Sequence, residues 1–535
     1  MHSSTNKNIL FHLFIIVGLG LLVLAPFHNF QTPLATGDNG RDLYAFAQSL
    51  DGALPYRDYH WVYGPLMPFY YALFMKMMGV TIQSVLAGQI LLWLVSGVLI
   101  AMSLYQAGLL RLGWSAALWF WAFNPRFTYT YNHAGGVACI LGLVYVAFLY
   151  LKKPGRRYLI VAFFITAVLS FIKLNMGLAG LAALLVCVGL IDWTNDGPQR
   201  KHNIHFLVLG TVAVIGLVGV VYAAWLHSLP AYTVRECLPY LSSDRASHAS
   251  LPQAVFLLMR HYVAPLTSPG PNLIFALIIL TATGRLIIEL IKPELNYADK
   301  RTIIIQITIP LIFWCFLLHE FFLSAVPYRL FWVTPLQILL IFLILGLGFR
   351  GLAAKIQMFI AVALLVIALL AQVALHSYIQ RFKVPSQFLN YPRGQVYVAN
   401  SQQWLTTLGQ TVHFLQRNLA QAETFLALPY DPLYYFLTEK TSPIHKLFFH
   451  AYGEISRAQE YQILDEIEQK DVRYILLSNR AHAQIPELGT FGQTYASVLD
   501  QYIQTHYKPI KTFGDWDTPG GAFKNHAVRI YRRED

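Results

Sequence analysis

The stretch that decides the fold is Thr36-Gly-Asp-Asn-Gly-Arg-Asp-Leu-Tyr44, followed shortly by Pro55-Tyr-Arg-Asp-Tyr-His-Trp-Val-Tyr-Gly-Pro65. It comes directly after the first long apolar run of the chain. It is polar, acidic and aromatic, and it is longer than a turn between two membrane helices needs to be. A loop of this kind, carrying carboxylates, predicts chemistry at the surface of a bilayer.

The composition is that of a polytopic α-helical membrane protein. Of 535 residues, 56% are hydrophobic and 12% are charged, against about 25% charged in soluble domains. Lys and Arg number 39 against 27 Asp and Glu, which gives a net charge of +12. Because cytoplasmic loops of membrane proteins collect basic residues, and no basic and aromatic groove pattern is present, this excess predicts no nucleic-acid partner.

The cysteines and the N-terminus give further information about the class of membrane protein. No pair among the four cysteines has metal-ligand spacing, and they form no disulfide framework. Lys7 followed by the apolar run 9–27 is similar to a signal peptide. The run is too long for one, however, and no small-residue cleavage site follows it. We therefore expect a retained signal anchor.

Apolar runs of about 20 residues predict membrane-spanning helices, and the sequence contains about eleven. Alternate loops between them are short and basic, such as the one with Lys152, Lys153, Arg156 and Arg157, as expected of cytoplasmic loops. An odd number of spans then places the C-terminal region outside. The predicted spans are 9–27, 83–107, 113–130, 134–151, 158–174, 176–192, 205–226, 271–291, 302–318, 327–348 and 356–376.

The first outer loop, residues 28–82, contains one more apolar segment, from Trp61 to Gly79. A full span here would put the basic loop at Lys152 on the outer side. We therefore expect an interfacial or re-entrant helix, whose aromatic side chains suit the headgroup region.

From about residue 377 the apolar periodicity shortens and polar residues appear. We expect two domains: residues 1–376 in the membrane, and residues 377–535 as an extracytoplasmic, periplasmic α/β domain with a structural or substrate-capping role. Helices are predicted at 402–419, 456–470 and 494–506, and strands at 423–428, 473–478 and 528–531.

Asp38 and Asp42 are the first candidates for chemistry. If their segment is helical, a spacing of four places both on one face, with Arg41 beside them. One interpretation is a solvated helix start with Asp38 as N-cap. The other is a general base that activates an acceptor or stabilises an oxocarbenium-like centre. The spacing alone leaves both open.

Further candidates lie at the outer ends of predicted helices. An ionisable residue there either points into a functional cavity or extends to the interface, and for Lys173 both interpretations stand. The outer segments, including the first loop, also supply Tyr44, Asp58, His60, Asn132, His133, Glu320 and Tyr328. If the family resemblance described next holds, these side chains are expected to bind the acceptor or the sugar.

The order of these features resembles the GT-C superfamily of integral-membrane glycosyltransferases, with its protein O-mannosyltransferase, aminoarabinose-transferase and oligosaccharyltransferase branches. The resemblance covers the first ~350 residues in architecture. It is carried by Asp38-Asn-Gly-Arg-Asp-Leu-Tyr44, Pro55-Tyr-Arg-Asp58, Tyr63-Gly-Pro-Leu66, Ile172-Lys-Leu-Asn175 and Pro327-Tyr-Arg-Leu-Phe-Trp-Val-Thr-Pro335.

This resemblance implies roles for particular residues. In the superfamily the acidic residue of the first outer loop is catalytic, which implies Asp38, with Asp42 as a second candidate. Polyprenyl-phosphate sugars are the donors, and Lys173, Arg329 and Arg57 would hold the phosphate.

The resemblance also implies a divalent cation in some branches of the superfamily. This chain departs from them, because the second outer loop reads Tyr131-Asn-His133 and has no carboxylate there. Hard cations prefer anionic oxygen shells, so the metal ligands, and metal dependence itself, stay open.

The function predicted is transfer of a sugar from a polyprenyl-phosphate donor to a glycan, lipid or protein acceptor of the cell envelope. It would take place at the outer face of a bacterial cytoplasmic membrane, in contact with membrane lipids. The alternative is a transporter or flippase for a lipid-linked saccharide, which predicts inverted repeats, and the sequence has no clear one. A third hypothesis is an envelope scaffold, which predicts that Asp38 is dispensable.

Overall fold

The computed structural model describes residues 2–24, 36–123, 131–194, 200–230, 233–234, 251–267, 271–322, 327–349, 389–396, 402–449, 455–481, 489–518, 520 and 525–534. Most of the described chain up to residue 349 is helical. Its helices are α1 (His2–Leu24), α2 (Asp38–Leu50), α3 (Leu66–Met78), α4 (Ile82–Gln106), α5 (Leu110–Phe123), α6 (Tyr131–Lys152), α7 (Arg156–Ile172), α8 (Leu174–Thr194), α9 (Arg200–Leu226), α10 (Leu251–Thr267), α11 (Pro271–Ile291), α12 (Tyr297–Leu317), the single turn α13 (His319–Phe322) and α14 (Thr334–Gly348), with a 3-10 helix at Pro327–Val333 before α14.

These helices divide between two compact units. The first unit contains α1, most of α4, and α5 to α14, and the second contains α2, α3 and the described residues from 389 onward. In the first unit small residues allow close helix packing. A Cβ on Gly177 of α8 would lie 2.6 Å from the Cα of Ser170 in α7, and one on Gly348 would lie 2.3 Å from the carbonyl oxygen of Ala282 in α11.

Each predicted span except the last overlaps a described helix, and the last, 356–376, lies outside the described residues. Six described helices are long and apolar enough to cross a membrane. The chain is thus a multi-pass membrane protein, while the count of about eleven spans is not established. The structure adds α10, which the sequence analysis did not predict, because its polar residues interrupt the apolar run.

In the second unit, the first-loop stretch forms α2 and α3. α3 begins only at Leu66, with Pro65 as its N-cap, and its 13 residues fall short of the ~20 that a span requires. α2 packs on α3 through the stacked rings of Phe46 and Tyr71, whose centroids are 4.6 Å apart. The helix predicted within this loop is present, and its interfacial placement stays a prediction.

The remainder of the second unit is a small α/β arrangement. In chain order its elements are β1 (Leu389–Tyr391), β2 (Gly394–Val396), α15 (Gln402–Asn418), β3 (Phe425–Leu428), α16 (Leu433–Thr438), α17 (Arg457–Gln469), β4 (Tyr474–Ser478), the 3-10 turn Asn479–Ala481, α18 (Ser497–His506), β5 (Tyr507–Phe513) and β6 (Val528–Arg533). A four-stranded sheet has the order β3-β4-β6-β5, with β3 and β4 parallel and the other pairs antiparallel. Leu426 and Ile475 of the sheet pack with Ile467 of α17 and Leu499 of α18.

The predicted helices and strands of this region are confirmed within a few residues. Ser456 caps α17 with a capping box, a sequence-local signal, and β3 and β4 are buried at every residue. β5, the β1–β2 hairpin and α16 were not predicted from the sequence. β5 exposes five consecutive residues, from Lys508 to Thr512, so it lacks the alternation that marks a strand. The proposed boundary at 376 lies outside the described residues and stays a prediction.

Because His526 is buried, we expect the free energy of unfolding to depend on pH. Its Nε2 lies 2.7 Å from the Tyr434 hydroxyl, and burial lowers its pKa to about 4. The unfolded chain, with an ordinary histidine pKa near 6.5, binds the proton first as the pH falls. The free energy of unfolding should therefore decrease by about 3 kcal/mol between pH 6.5 and pH 4.

We expect His526→Gln to show a smaller fall in denaturation midpoint over this pH range than the wild type, measured by thermal denaturation in detergent. The control is His506→Gln, since His506 is exposed. Equal falls in the wild type and His526→Gln would contradict the assignment.

Candidate functional site

Asp38 is the first residue of α2, with Gly37 as the N-cap. The segment is therefore helical, and the N-cap interpretation of Asp38 is wrong by one residue. A carboxylate in the first turn is favoured by the exposed N–H groups of the helix N-terminus. The side chain of Asp38 is half exposed, at 49%.

Asp38 is held through one of its two carboxylate oxygens. The hydroxyl of Tyr430 donates to Oδ1 at 2.6 Å, and Nη1 of Arg41 lies 3.5 Å from the same oxygen. The described residues form no hydrogen bond to Oδ2. The result is an oriented carboxylate with one oxygen available, which suits a general base or an acceptor-binding group.

Asp42, one turn further along α2, has a different environment. Its side chain is 3% exposed, and its Oδ1 accepts from Nε and Nη2 of Arg41 at 3.0 and 2.8 Å. Burial raises the pKa of Asp42 to about 6, although Arg41 opposes the shift. Trp61 and Tyr63 also flank the Arg41 guanidinium. The catalytic role of Asp42 stays a prediction.

Other first-loop candidates do not join this cluster. The hydroxyl of Tyr44 accepts from the backbone N–H of Ser442 at 3.0 Å, and His60 is buried. Arg57 and Asp58 form their own pair, with Nη2 and Oδ2 at 2.7 Å and side chains 55% and 32% exposed. Two arginine nitrogens engage the two oxygens of Asp58.

A second cluster lies in the first unit, around Lys173. This residue is extended and forms the break between α7 and α8, and its side chain is 3% exposed. Its ammonium lies 2.7 Å from both oxygens of Glu320 and 2.8 Å from Nε2 of His133. The structure thus brings together three predicted site residues, from α6, from the α7–α8 break and from α13.

Glu320 is held by further partners besides Lys173. Asn175 Nδ2 donates to its Oε1 at 2.7 Å, and the same nitrogen lies 3.1 Å from Nε2 of His319. Arg329 Nη1 donates to the backbone carbonyl oxygen of Glu320 at 3.2 Å. These contacts give Glu320 a complete set of donors in a place where its side chain is 1% exposed.

Trp332, which the sequence analysis did not select, forms one wall of this cluster. The ring of His133 stacks on it with centroids 3.6 Å apart, and the Lys173 ammonium lies 4.8 Å from its centroid. An indole face attracts cations in this geometry. Tyr328 lies on the same 3-10 helix, but its side chain lies outside what the structure describes.

Asn132 lies beside His133 at the start of α6 and is 1% exposed. Among the described residues neither its amide nitrogen nor its amide oxygen has a hydrogen-bond partner. A buried polar group without a partner costs about 1–3 kcal/mol. The role of Asn132 in binding the sugar or the acceptor stays a prediction.

The described residues contain no group of three or more His, Cys, Asp or Glu side chains that could hold a metal ion. The sequence analysis also missed Tyr430 and Arg480 near Asp38, because their sequence neighbourhood carries no motif and only folding brings them to α2.

The Lys173–Glu320 pair predicts a strong stability coupling. Removing one partner leaves the other as an unpaired buried charge, which costs about 3–5 kcal/mol. We expect Lys173→Met and Glu320→Gln each to lower the thermal denaturation midpoint in detergent, and the double variant to be more stable than Lys173→Met alone. Additive losses would contradict the pairing. The matched control is Lys292→Met in the exposed Lys292–Glu289 pair, where we expect little change.

Neither a protein-family model nor a curated protein matches this sequence. Solved structures do resemble it. ArnT from Cupriavidus metallidurans in the apo state is 13% identical, with 99% of this chain and 98% of that chain covered and a TM-score of 0.54. ArnT bound to undecaprenyl phosphate is 12% identical, with 97% of this chain and 97% of that chain covered and a TM-score of 0.54.

An oligosaccharyltransferase from Archaeoglobus fulgidus, in a complex with Zn and sulfate, is 10% identical with a TM-score of 0.51. The match covers 96% of this chain and 73% of that chain. These proteins are GT-C glycosyltransferases, and the likeness extends over nearly the whole chain. The chain therefore has the fold of the GT-C integral-membrane glycosyltransferases.

Proposed function

We propose that this protein is a glycosyltransferase that moves a hexosyl or pentosyl group from a polyprenyl-phosphate donor to a glycan, lipid or protein acceptor of the cell envelope. The observation that carries the proposal is the combination of a GT-C fold with Asp38, a carboxylate on the first loop that has one oxygen held and the other available. ArnT of that fold has been crystallised with undecaprenyl phosphate, which supports a lipid-phosphate donor.

In this proposal Asp38 acts on the acceptor. Its Oδ2 accepts the proton of the acceptor hydroxyl as the acceptor oxygen bonds to the anomeric carbon of the sugar. The bond between that carbon and the phosphate oxygen breaks, and polyprenyl phosphate leaves with the electron pair. Arg41, which is paired with Asp42, keeps a positive charge beside Asp38.

Lys173 and Arg329 are assigned to the donor phosphate. Lys173 donates to a phosphate oxygen while it keeps its contact with Glu320, to which Asn175 also donates. An ammonium in such a buried place binds an anion strongly, since no water competes for it. Arg57, which is exposed and paired with Asp58, is the third phosphate candidate.

The remaining predicted residues are assigned to the sugar or the acceptor. Asn132 is the best supported of them, because its amide has both hydrogen-bonding atoms available among the described residues. A hydroxyl of the sugar would satisfy both. His133 would donate or accept at the same place, whereas the hydroxyl of Tyr44 already has a backbone partner.

The proposed location is a bacterial cytoplasmic membrane, with residues 377–535 on the outer side. The alternative function, a transporter or flippase for a lipid-linked saccharide, uses the same lipid chemistry. It would need neither a base nor a leaving phosphate, so a covalent transfer assay separates the two functions.

We expect purified wild-type protein in lipid to transfer sugar from one of a panel of radiolabelled polyprenyl-phosphate sugars to envelope extract. Asp38→Asn should reduce the rate by about 100-fold or more, because general base catalysis contributes roughly 10²–10⁴-fold. The matched control is Asp51→Asn, at the exposed C-terminal end of the same helix, which should transfer at the wild-type rate.

Equal transfer by the wild type and Asp38→Asn would contradict the role of Asp38. No transfer from any donor, together with movement of labelled lipid across the bilayer, would favour the transporter. The same assay with EDTA, and then with Mg²⁺ or Mn²⁺ restored, decides whether a divalent cation takes part.

A further inference from the structure

Tyr430 connects the sheet of the second unit to the first loop. It follows β3 directly after Pro429, and its hydroxyl donates to Oδ1 of Asp38 at 2.6 Å. The two residues are 392 positions apart in the chain. A short hydrogen bond to a carboxylate is among the stronger hydrogen bonds in proteins. Here the acceptor is Asp38, the residue proposed as the general base.

Several neighbours fix the position of Tyr430. Arg480 Nη1 donates to its backbone carbonyl oxygen at 2.8 Å, and the Arg480 guanidinium lies 5.2 Å from the ring centroid. The ring of Phe448 meets it edge-on with centroids 4.3 Å apart. On the α2 side, a Cβ on Gly37 would lie 2.5 Å from the ring, so only glycine leaves room for this approach.

The protonation of Tyr430 supports one direction for this hydrogen bond. The residue is 4% exposed, and burial raises its pKa well above the ordinary value of a phenol. The hydroxyl therefore stays protonated and donates a hydrogen bond to the carboxylate. Since Tyr430 and Arg41 both engage Oδ1, the plane of the carboxylate is restricted while Oδ2 keeps its access.

We propose that Tyr430 is a positioning residue, which holds the Asp38 carboxylate by Oδ1 so that Oδ2 meets the acceptor hydroxyl. The inference rests on the proposed function of Asp38. It also assigns the C-terminal residues a part in the transfer step, beyond the structural or capping role expected from sequence. Arg480 acts one step further away, by holding Tyr430.

A tyrosine elsewhere in the same unit provides a matched control. The Tyr502 hydroxyl donates to Oε1 of Glu468 at 3.2 Å, which is also a phenol–carboxylate contact, and neither residue belongs to the proposed site. Tyr430→Phe and Tyr502→Phe each remove one hydroxyl and keep the ring. A fall in kcat that both variants share is structural in origin. A fall in kcat that is confined to Tyr430→Phe is catalytic in origin.

The experiment measures kcat and the donor KM for wild type, Tyr430→Phe, Tyr502→Phe and Asp38→Asn. It uses the radiolabelled polyprenyl-phosphate sugar that is productive for the wild type and a fixed amount of envelope extract. For Tyr430→Phe we expect kcat to fall about tenfold or more, because small misplacements of a catalytic group are costly. The donor KM should change less than about twofold, since ground-state donor binding is not touched.

The outcomes are distinguishable. The expected result includes wild-type kcat for Tyr502→Phe, with both phenylalanine variants folded at the assay temperature. Wild-type kcat for Tyr430→Phe, with Asp38→Asn inactive, overturns the inference and leaves the proposed function standing. A raised donor KM with unchanged kcat also overturns it. Wild-type transfer by Asp38→Asn overturns the proposed function and this inference together.

Discussion

The helical unit depends on one buried ion pair. Lys173 and Glu320 lie 147 residues apart in sequence and meet where both side chains are almost fully buried. Each comes from a helix end or break, so their contact fixes which helix ends lie together. Elsewhere these helices pack mainly through apolar side chains and glycines, together with hydrogen bonds such as that from the Tyr150 hydroxyl to Oδ1 of Asp192. An unpaired charge at this depth is costly, so the pair imposes the specific arrangement that apolar packing alone does not.

Much of the fold could be predicted because a bilayer imposes local rules. Spans follow from the length of apolar runs, and the capping box at Ser456 fixes a helix start locally. Pairings could not be predicted in this way. Lys173 and Glu320 each lie at the end of a predicted helix, yet nothing in the sequence around either residue indicates that the two form a pair. Tyr430 carries no motif at all, and its role exists only because folding places it against Gly37.

Asp38 and Asp42 illustrate where a spacing argument stops. Four residues apart on a helix, they were expected to share one face, and α2 confirms the helix. Their environments nevertheless differ: Asp42 is buried against Arg41, whereas Asp38 is half exposed. Burial, not spacing, distinguishes the two carboxylates.

The most direct test of the account concerns the charge of Lys173. Native mass spectrometry would compare binding of undecaprenyl phosphate and of uncharged undecaprenol to the wild type and to the Lys173→Met/Glu320→Gln double variant, in which no buried charge is left unpaired. The account predicts that the wild type prefers the phosphate and that the double variant loses this preference while remaining folded. An undiminished preference for the phosphate in the double variant would contradict it.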